Sequence, residues 1–294
     1  MLALLETRRL DLQGAQSYLK STDVASETDV VRMVRILNTE IFQTVKLMAS
    51  SFTVVDDPMV ATHAADSLRS VLGRAVTDLL LSFPNHHDDT IVLEISLQSV
   101  IVLVVRLIIS SWDLSARTSL NKSLTGAYIR LLASEDQSVA ARWRSLTLRY
   151  LPQESADGKS WMTFFNEELA TFLSVVFNLA GGRGDVPGAA RDNIHNIVST
   201  AFELRRMLSD DILGADYVVT LGVTGNSFSS EAMDDAYPTR GRRPKAGTRI
   251  LCPFELGLHR FDKVDEEFEE TLKESVVIRP KVVLESLIDD LKTG

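Results

Sequence analysis

The stretch Ile91–Trp112 constrains this chain more than any other. It is nearly unbroken aliphatic side chain, interrupted chiefly by Glu94, Gln98 and Arg106. Its apolar length is near the lower limit for a membrane-spanning helix. Glu94 and Arg106 lie inside that length, and each is costly in lipid. They are twelve residues apart, about 120° around a helix, so they cannot pair with each other. Gln98 shares the face of Glu94, and Ser110 and Asp113 share the face of Arg106. Two polar edges thus bracket an apolar majority. That predicts a central helix sheathed by other helices rather than by lipid.

Such a helix needs enough chain to bury it. The 294 residues, 45% of them hydrophobic, suffice for one large domain or two ordinary ones. A net charge of −9 leaves no extended cationic face for phosphates, which argues against a nucleic-acid binder. Cys252 is the only cysteine, so no intrachain disulfide can form and a reducing compartment fits. Met1–Leu5 is apolar but stops at Glu6 without a basic lead, too short for a signal-peptide core. These features predict a soluble intracellular protein, cytoplasmic or nuclear. The helical start at Leu2 also fits a fragment of a longer chain.

Helical periods run through most of the sequence. Leu2–Lys20 reads as a first helix. Ser26 and Asp29 resemble a capping box before a continuous stripe: Val30, Val34, Leu37, Ile41, Val45, Met48 and Phe52. Asp57–Pro58 reads as an N-cap and N1 proline. The single helix it opens, with Leu68, Leu72, Ala75, Leu79 and Phe83 inward, ends at Phe83–Pro84–Asn85. Beyond the central helix, Asp113 is placed to cap a helix with Leu120, Leu124, Ala127 and Leu131 inward. Ser134 and Gln137 fit a capping box for the next, with Val139, Trp143, Leu146 and Tyr150 inward. Trp161, Phe165, Leu169, Phe172 and Val176 form an aromatic-rich stripe closed by Gly181–Gly182. The last long helix starts near Pro187, with Ile194, Ile197, Ala201, Leu204 and Leu208 inward. Short connections predict antiparallel neighbours.

The pattern changes near Gly214. Tyr217–Val223 is β-branched and lacks helical period. Arg249–Leu258 suits one or two short strands. Val276–Leu284 reads as a strand broken by Pro280, which suits a sheet edge. The expected fold is therefore mainly α: a multi-helix antiparallel bundle over residues 1–212, then a small β-containing domain over 213–294.

Within that tail, Gly225–Phe228, Met233–Ala236, Gly247–Thr248, Glu255–Leu258 and Arg279–Glu285 resemble the C-terminal portion of a large set of uncharacterised fungal, mainly basidiomycete, proteins. That resemblance implies a helical body with a β-containing tail and brings no activity. Residues 217–284 are also similar to the compact β-domain of GrpE, the nucleotide exchange factor of Hsp70 chaperones. Phe228 falls on its Phe-Asp-Pro turn and Asp234 on the glutamate of its His-Glu-Ala stretch. Gly247–Thr248, Gly257 and Arg279–Pro280 fall on its Gly-Thr, a later glycine and its Arg-Pro. Ser229–Ser230 replace Asp-Pro, Met233 replaces the histidine, and Asp262–Glu274 has no counterpart. The likeness implies a similar small β-fold and, as an alternative function, nucleotide exchange.

Several clusters invite a chemical reading. His86–His87–Asp88–Asp89 offers four metal-capable groups, but adjacent loop residues rarely converge on one ion. A polar helix start, with Asp88 or Asp89 as cap, explains them better. Paired aspartates in a helical chain invite comparison with terpene synthases. Val92 stands where the next carboxylate of their first motif belongs, and His195 begins the His195, Ser199, Glu203 series where that family has asparagine. Gly181–Asp185 lacks the lysine and Ser/Thr of a P-loop, so its glycines read as a helix stop. Arg240, Arg242, Arg243, Lys245 and Arg249 form a basic loop, the one candidate interaction segment. It has no interleaved aromatics for base stacking, and a solvated loop set against the acidic run Asp265–Glu270 is the plainer reading. Cys252, between Leu251 and Pro253, reads as a buried inert thiol.

No nucleophile, base, metal or phosphate constellation emerges. The expectation is thus a non-enzymatic protein-interaction or scaffold module, without a cofactor, metal, nucleic-acid or membrane partner. A protein partner is expected and a homo-oligomer is compatible. The alternatives are an Hsp70 co-chaperone acting through the β tail and, behind it, a diphosphate-processing helical enzyme.

Overall fold

The computed structural model describes residues 23–54, 62–83, 86–115, 118–183, 186–238, 247–266 and 269–293. The expected helix at Leu2–Lys20, the Asp57–Pro58 cap and Pro84–Asn85 lie outside them. Among the described residues are nine α-helices and two three-stranded sheets, the sheets confined to the C-terminal region. The chain is mainly α with a small C-terminal β part.

The central stretch is α4, Ile91–Ser110 (the helices before it are α1, Glu27–Ser50; α2, Thr62–Leu72; α3, Arg74–Ser82). It is long and apolar enough to cross a membrane, yet 67% of its apolar window is buried inside the protein. Its neighbours are α1, α2, α3, α7 (Trp161–Leu179) and α8 (Gly188–Arg206), together with two strands. The α1 stripe from Val30 to Phe52 is buried at every position named above. Its capping box forms as expected, with Asp29 N donating to Ser26 Oγ and Ser26 N donating to Asp29 Oδ2 at 3.0 Å.

Several expectations need correction. The helix expected up to Phe83 is two helices, because Gly73 sits at φ +82°, a conformation that costs a side-chain-bearing residue about 1 kcal/mol or more. The break turns Val76 and Leu80 inward and leaves Ala75 exposed. Asp113 does not cap α5, Thr118–Ser134; its carboxylate accepts from Ser115 instead. The Ser134–Gln137 capping box does not form at α6, Gln137–Tyr150. Ser134 Oγ bonds back to Arg130 O at 3.1 Å. Gln137 bridges to a strand, donating to Phe261 O at 2.8 Å and accepting from Lys263 N at 3.1 Å. The α6 face that packs is also different: Ala140, Ala141 and Ser145 are buried, whereas Tyr150 is 82% exposed. Small side chains there admit the π-turn Met207–Asp211, and Ser145 Oγ donates to Asp210 Oδ1 at 2.6 Å.

The tail builds β1 (Asp216–Thr220), β2 (Asp234–Asp235), β3 (Ile250–Pro253), β4 (Gly257–Glu266), β5 (Glu269–Ile278) and β6 (Lys281–Leu284), then α9 (Ser286–Thr293). One sheet has order β1-β4-β5, all antiparallel. The other has order β2-β6-β3, with β2 and β6 parallel. Pro280 does separate two strands, but β6 is the middle of its sheet rather than an edge. The proline precedes the strand, so its missing N–H costs no ladder bond, and its carbonyl accepts from Asp234 N at 3.0 Å. Gly257 is required beside it: a Cβ there would lie 2.5 Å from Pro280 Cδ. The described residues of the stretch Asp262–Glu274 belong to the paired strands β4 and β5.

Strands and helices share one core. Leu251, Cys252, Phe254, Leu256 and Val283 belong to the same buried cluster as the α1, α4, α7 and α8 stripes. Three buried polar side chains latch the turn between β3 and β4. Asn38 donates to Leu256 O and accepts from Leu256 N, each at 2.9 Å. Gln98 Nε2 donates to Phe254 O at 3.0 Å and Ser99 Oγ to Pro253 O at 2.6 Å.

Candidate functional site

The described members of the clusters named above do not come together into a site. His86 is buried, with Nε2 donating to Leu80 O at 2.8 Å, and burial pulls its pKa down. His87 and Asp88 are exposed and lie together at 3.2 Å, while Asp89 Oδ1 accepts from Ile91 N at 3.0 Å and serves the α4 N-terminus. No group of three metal-capable side chains occurs among the described residues. His195 and Glu203 are exposed on α8. Gly181, at φ +83°, ends α7; Gly184 and Asp185 lie outside the described residues. Cys252 is fully buried, and that burial pushes its thiol up to about 12, as suits an inert group. Of the basic loop, Arg249 is exposed and its carbonyl accepts from Glu285 N. Arg240, Arg242, Arg243 and Lys245 lie outside the described residues, as does the middle of the acidic run.

The site with the most chemistry lies elsewhere, at the C-terminal end of α4. There the helix, the link after it, α5, α6, the end of α8, β1 and the β4–β5 hairpin enclose a cleft of about 600 Å³. This is an ordinary volume for a small-molecule pocket. Trp112 is central to its wall. The Trp112 ring meets Tyr128 at 5.4 Å and Trp143 at 5.5 Å, and Tyr128 stacks on Trp143 at 6.1 Å. The indole N–H is satisfied by Thr125 Oγ1 at 3.0 Å. Trp143, expected in a helix stripe, therefore packs against the two rings, Trp112 and Tyr128, that line the cleft. Ile129, Val218 and Leu272, respectively 58%, 39% and 40% exposed, stand among the lining residues.

Three arginines and two carboxylates line the same space, and all but one are committed. Arg144 pairs with Asp216 and donates to Tyr128 Oη at 3.0 Å and Ile212 O at 2.9 Å. Tyr128 donates to Asp216 at 2.6 Å, and burial holds its phenol above the usual range. Arg205 closes the α4 C-terminus by donating to the carbonyls of Ile108, Ser111 and Trp112. Burial lowers its pKa to about 10, so it remains charged at neutral pH. Glu274 bonds His259 Nδ1 at 2.6 Å. The exception is Arg106. It is half-buried, and among the described residues it makes no hydrogen bond or ion pair. Burial alone pulls its pKa down, with no neighbouring carboxylate opposing.

Sequence reading found Arg106 only as a polar edge of the central helix. A charge without a partner in an apolar stretch was the available signal. Trp112, Tyr128, Arg144 and Asp216 carried none, because they meet only through packing between elements distant in the chain. Comparisons with known protein families, curated proteins and solved structures give no match.

Proposed function

We propose that the protein is a non-enzymatic interaction module of the cell interior, and that its contact site is the cleft at the end of α4. The carrying observation is the convergence of exposed Ile129, Val218 and Leu272 on one aromatic-walled cavity. Apolar side chains held in water around a concavity gain free energy when a partner covers them. The polar groups of the cleft favour binding over catalysis. Its two carboxylates are engaged by Arg144 and His259, and the Tyr128 hydroxyl is spent on one of them. Asp216 accepts from both Arg144 and Tyr128, and Glu274 is tied to His259 through one of its oxygens, so both acids already serve contacts within the protein.

Nucleotide exchange through 217–284 is the weaker alternative. The turn after β3 is gripped by Asn38, Gln98 and Ser99, so this region is a wall of the helical core rather than a separate arm. The cell-interior assignment rests on the lone, buried Cys252.

The test uses phenylnaphthylamine, a neutral apolar dye that brightens out of water. The wild-type protein is expected to saturate with the dye at a single site. Ile129→Asp, at an exposed position, should weaken that binding about tenfold through lost apolar contact and a buried charge. Dye binding that is absent, or indifferent to Ile129→Asp, would remove the cleft from the account.

A further inference from the structure

We infer that the group received by the cleft is an amphipathic organic acid whose carboxylate is met by Arg106. The inference rests on the cleft being a binding site and adds the chemical class of what it binds. A guanidinium brought half out of water loses hydration, and a folded chain ordinarily returns that loss through a carboxylate or carbonyls. Arg144 and Arg205 follow the rule within the same cavity, through Asp216 and through the α4 carbonyls. Arg106 does not, and the described part of the protein supplies it no anion.

The charge balance has the same sign. Three arginines against two carboxylates leave the lining one positive charge in excess, within a chain whose net charge is −9. Of the three, Arg106 is the one whose guanidinium makes no hydrogen bond or ion pair among the described residues. An arginine stays protonated at any physiological pH and presents a planar fork suited to two carboxylate oxygens. A single uncommitted cation selects a monoanion. Polyphosphates and nucleic acids need several cations together, and Arg144 and Arg205 are already spent.

The remaining wall sets the other half of the ligand. Trp112, Ile129, Leu132, Leu148 and Leu272 offer hydrocarbon and indole surface. An acid with a medium-length aliphatic or aromatic body would place its tail there and its charge at Arg106. A neutral molecule of the same shape would gain the apolar contact and leave the guanidinium unanswered. The site therefore discriminates by charge more strongly than by the form of the tail, since a hydrogen bond to a charged group is worth more than one methylene.

The experiment is displacement of bound phenylnaphthylamine by decanoate and by decanol, both kept below aggregation and at low salt. Decanoate should displace the dye from the wild-type protein at about a tenfold lower concentration than decanol, the equivalent of one charge-assisted contact. Arg106→Met should bring the two ligands together, by raising the decanoate concentration needed relative to decanol about tenfold. Arg106→Lys should keep part of the preference. Equal displacement by both ligands in the wild-type protein overturns the inference but leaves the cleft as an apolar site. A preference that survives Arg106→Met overturns it too, by placing the anion elsewhere. Should Arg106→Met fail to fold, the wild-type comparison and Arg106→Lys still decide.

Discussion

The two ends of α4 treat buried polarity in opposite ways. In the N-terminal half, Glu94 takes a hydrogen bond from Lys46 at 2.7 Å and from Thr90 at 2.9 Å. Ser96 bonds back to Val92 O, and Gln98 and Ser99 hold the β3–β4 turn. Among the described residues, Gln98 Oε1 alone is left without a partner there. In the C-terminal half, Arg106 lines the cleft and, among the described residues, makes no hydrogen bond or ion pair. Polarity inside an apolar helix is thus not one signal. Where neighbouring backbone answers it, it fixes how a sheet lies on a bundle. Where nothing answers it, it marks a surface awaiting something from outside.

The strongest way to sharpen that contrast lies within the cleft itself. Arg144→Met should cost about 4 kcal/mol, because it leaves Asp216 buried and unpaired. Adding Asp216→Leu should recover much of the loss, and a urea-denaturation double-mutant cycle would report the coupling. Equal sensitivity of Arg106→Met and Arg144→Met would erase the distinction between a committed and an uncommitted arginine. The closed half provides the next effect. Asn38→Ala strips both Leu256 N–H and C=O of their partner and should cost about 3 kcal/mol in urea unfolding. A loss below about 0.5 kcal/mol, the scale of an ordinary surface change, would mean the latch is ornamental.

Much of the closed half was legible in advance. The α1 stripe and its capping box, the burial of α4, and the strands flanking Pro280 followed from local period and local chemistry. Errors arose where tertiary contact overrode a local pattern. Gly73 looked like one more helical residue, since nothing nearby announces a positive φ. Gln137 has capping-box spacing but spends its amide on β4, a partner 124 residues away. The cleft was least legible for the same reason. Its aromatic wall, with Trp143 packed against it, joins the α4–α5 link, α5 and α6, and its ion pair joins α6 to β1, so no window of sequence contains it. The basic loop drew notice instead because its charges are adjacent in the chain.

The smallest effect tests whether the closed half is closed to protons as well. His86 packs against Phe52 and Phe83, with ring centroids at 6.3 and 5.3 Å. Its Nδ1 is buried and has no partner among the described residues. Burial lowers its pKa below the ordinary 6.5, although Leu80 O and the nearby Asp89 pull the other way. The unfolded chain therefore takes up a proton near pH 6.5 that the folded protein refuses. Below that pH the unfolded state binds more protons, so this residue's contribution makes stability fall as pH drops, levelling off once the folded-state pKa is passed. The slope cannot exceed about 1.4 kcal/mol per pH unit for one group. His86→Phe keeps the ring among its aromatic neighbours and removes the titration. Its urea midpoint should therefore depend less on pH between 6.5 and 5 than that of the wild-type protein. Identical slopes in the two proteins would show that water and protons reach His86 freely, and the seal at this end of α4 would no longer distinguish it from the cleft.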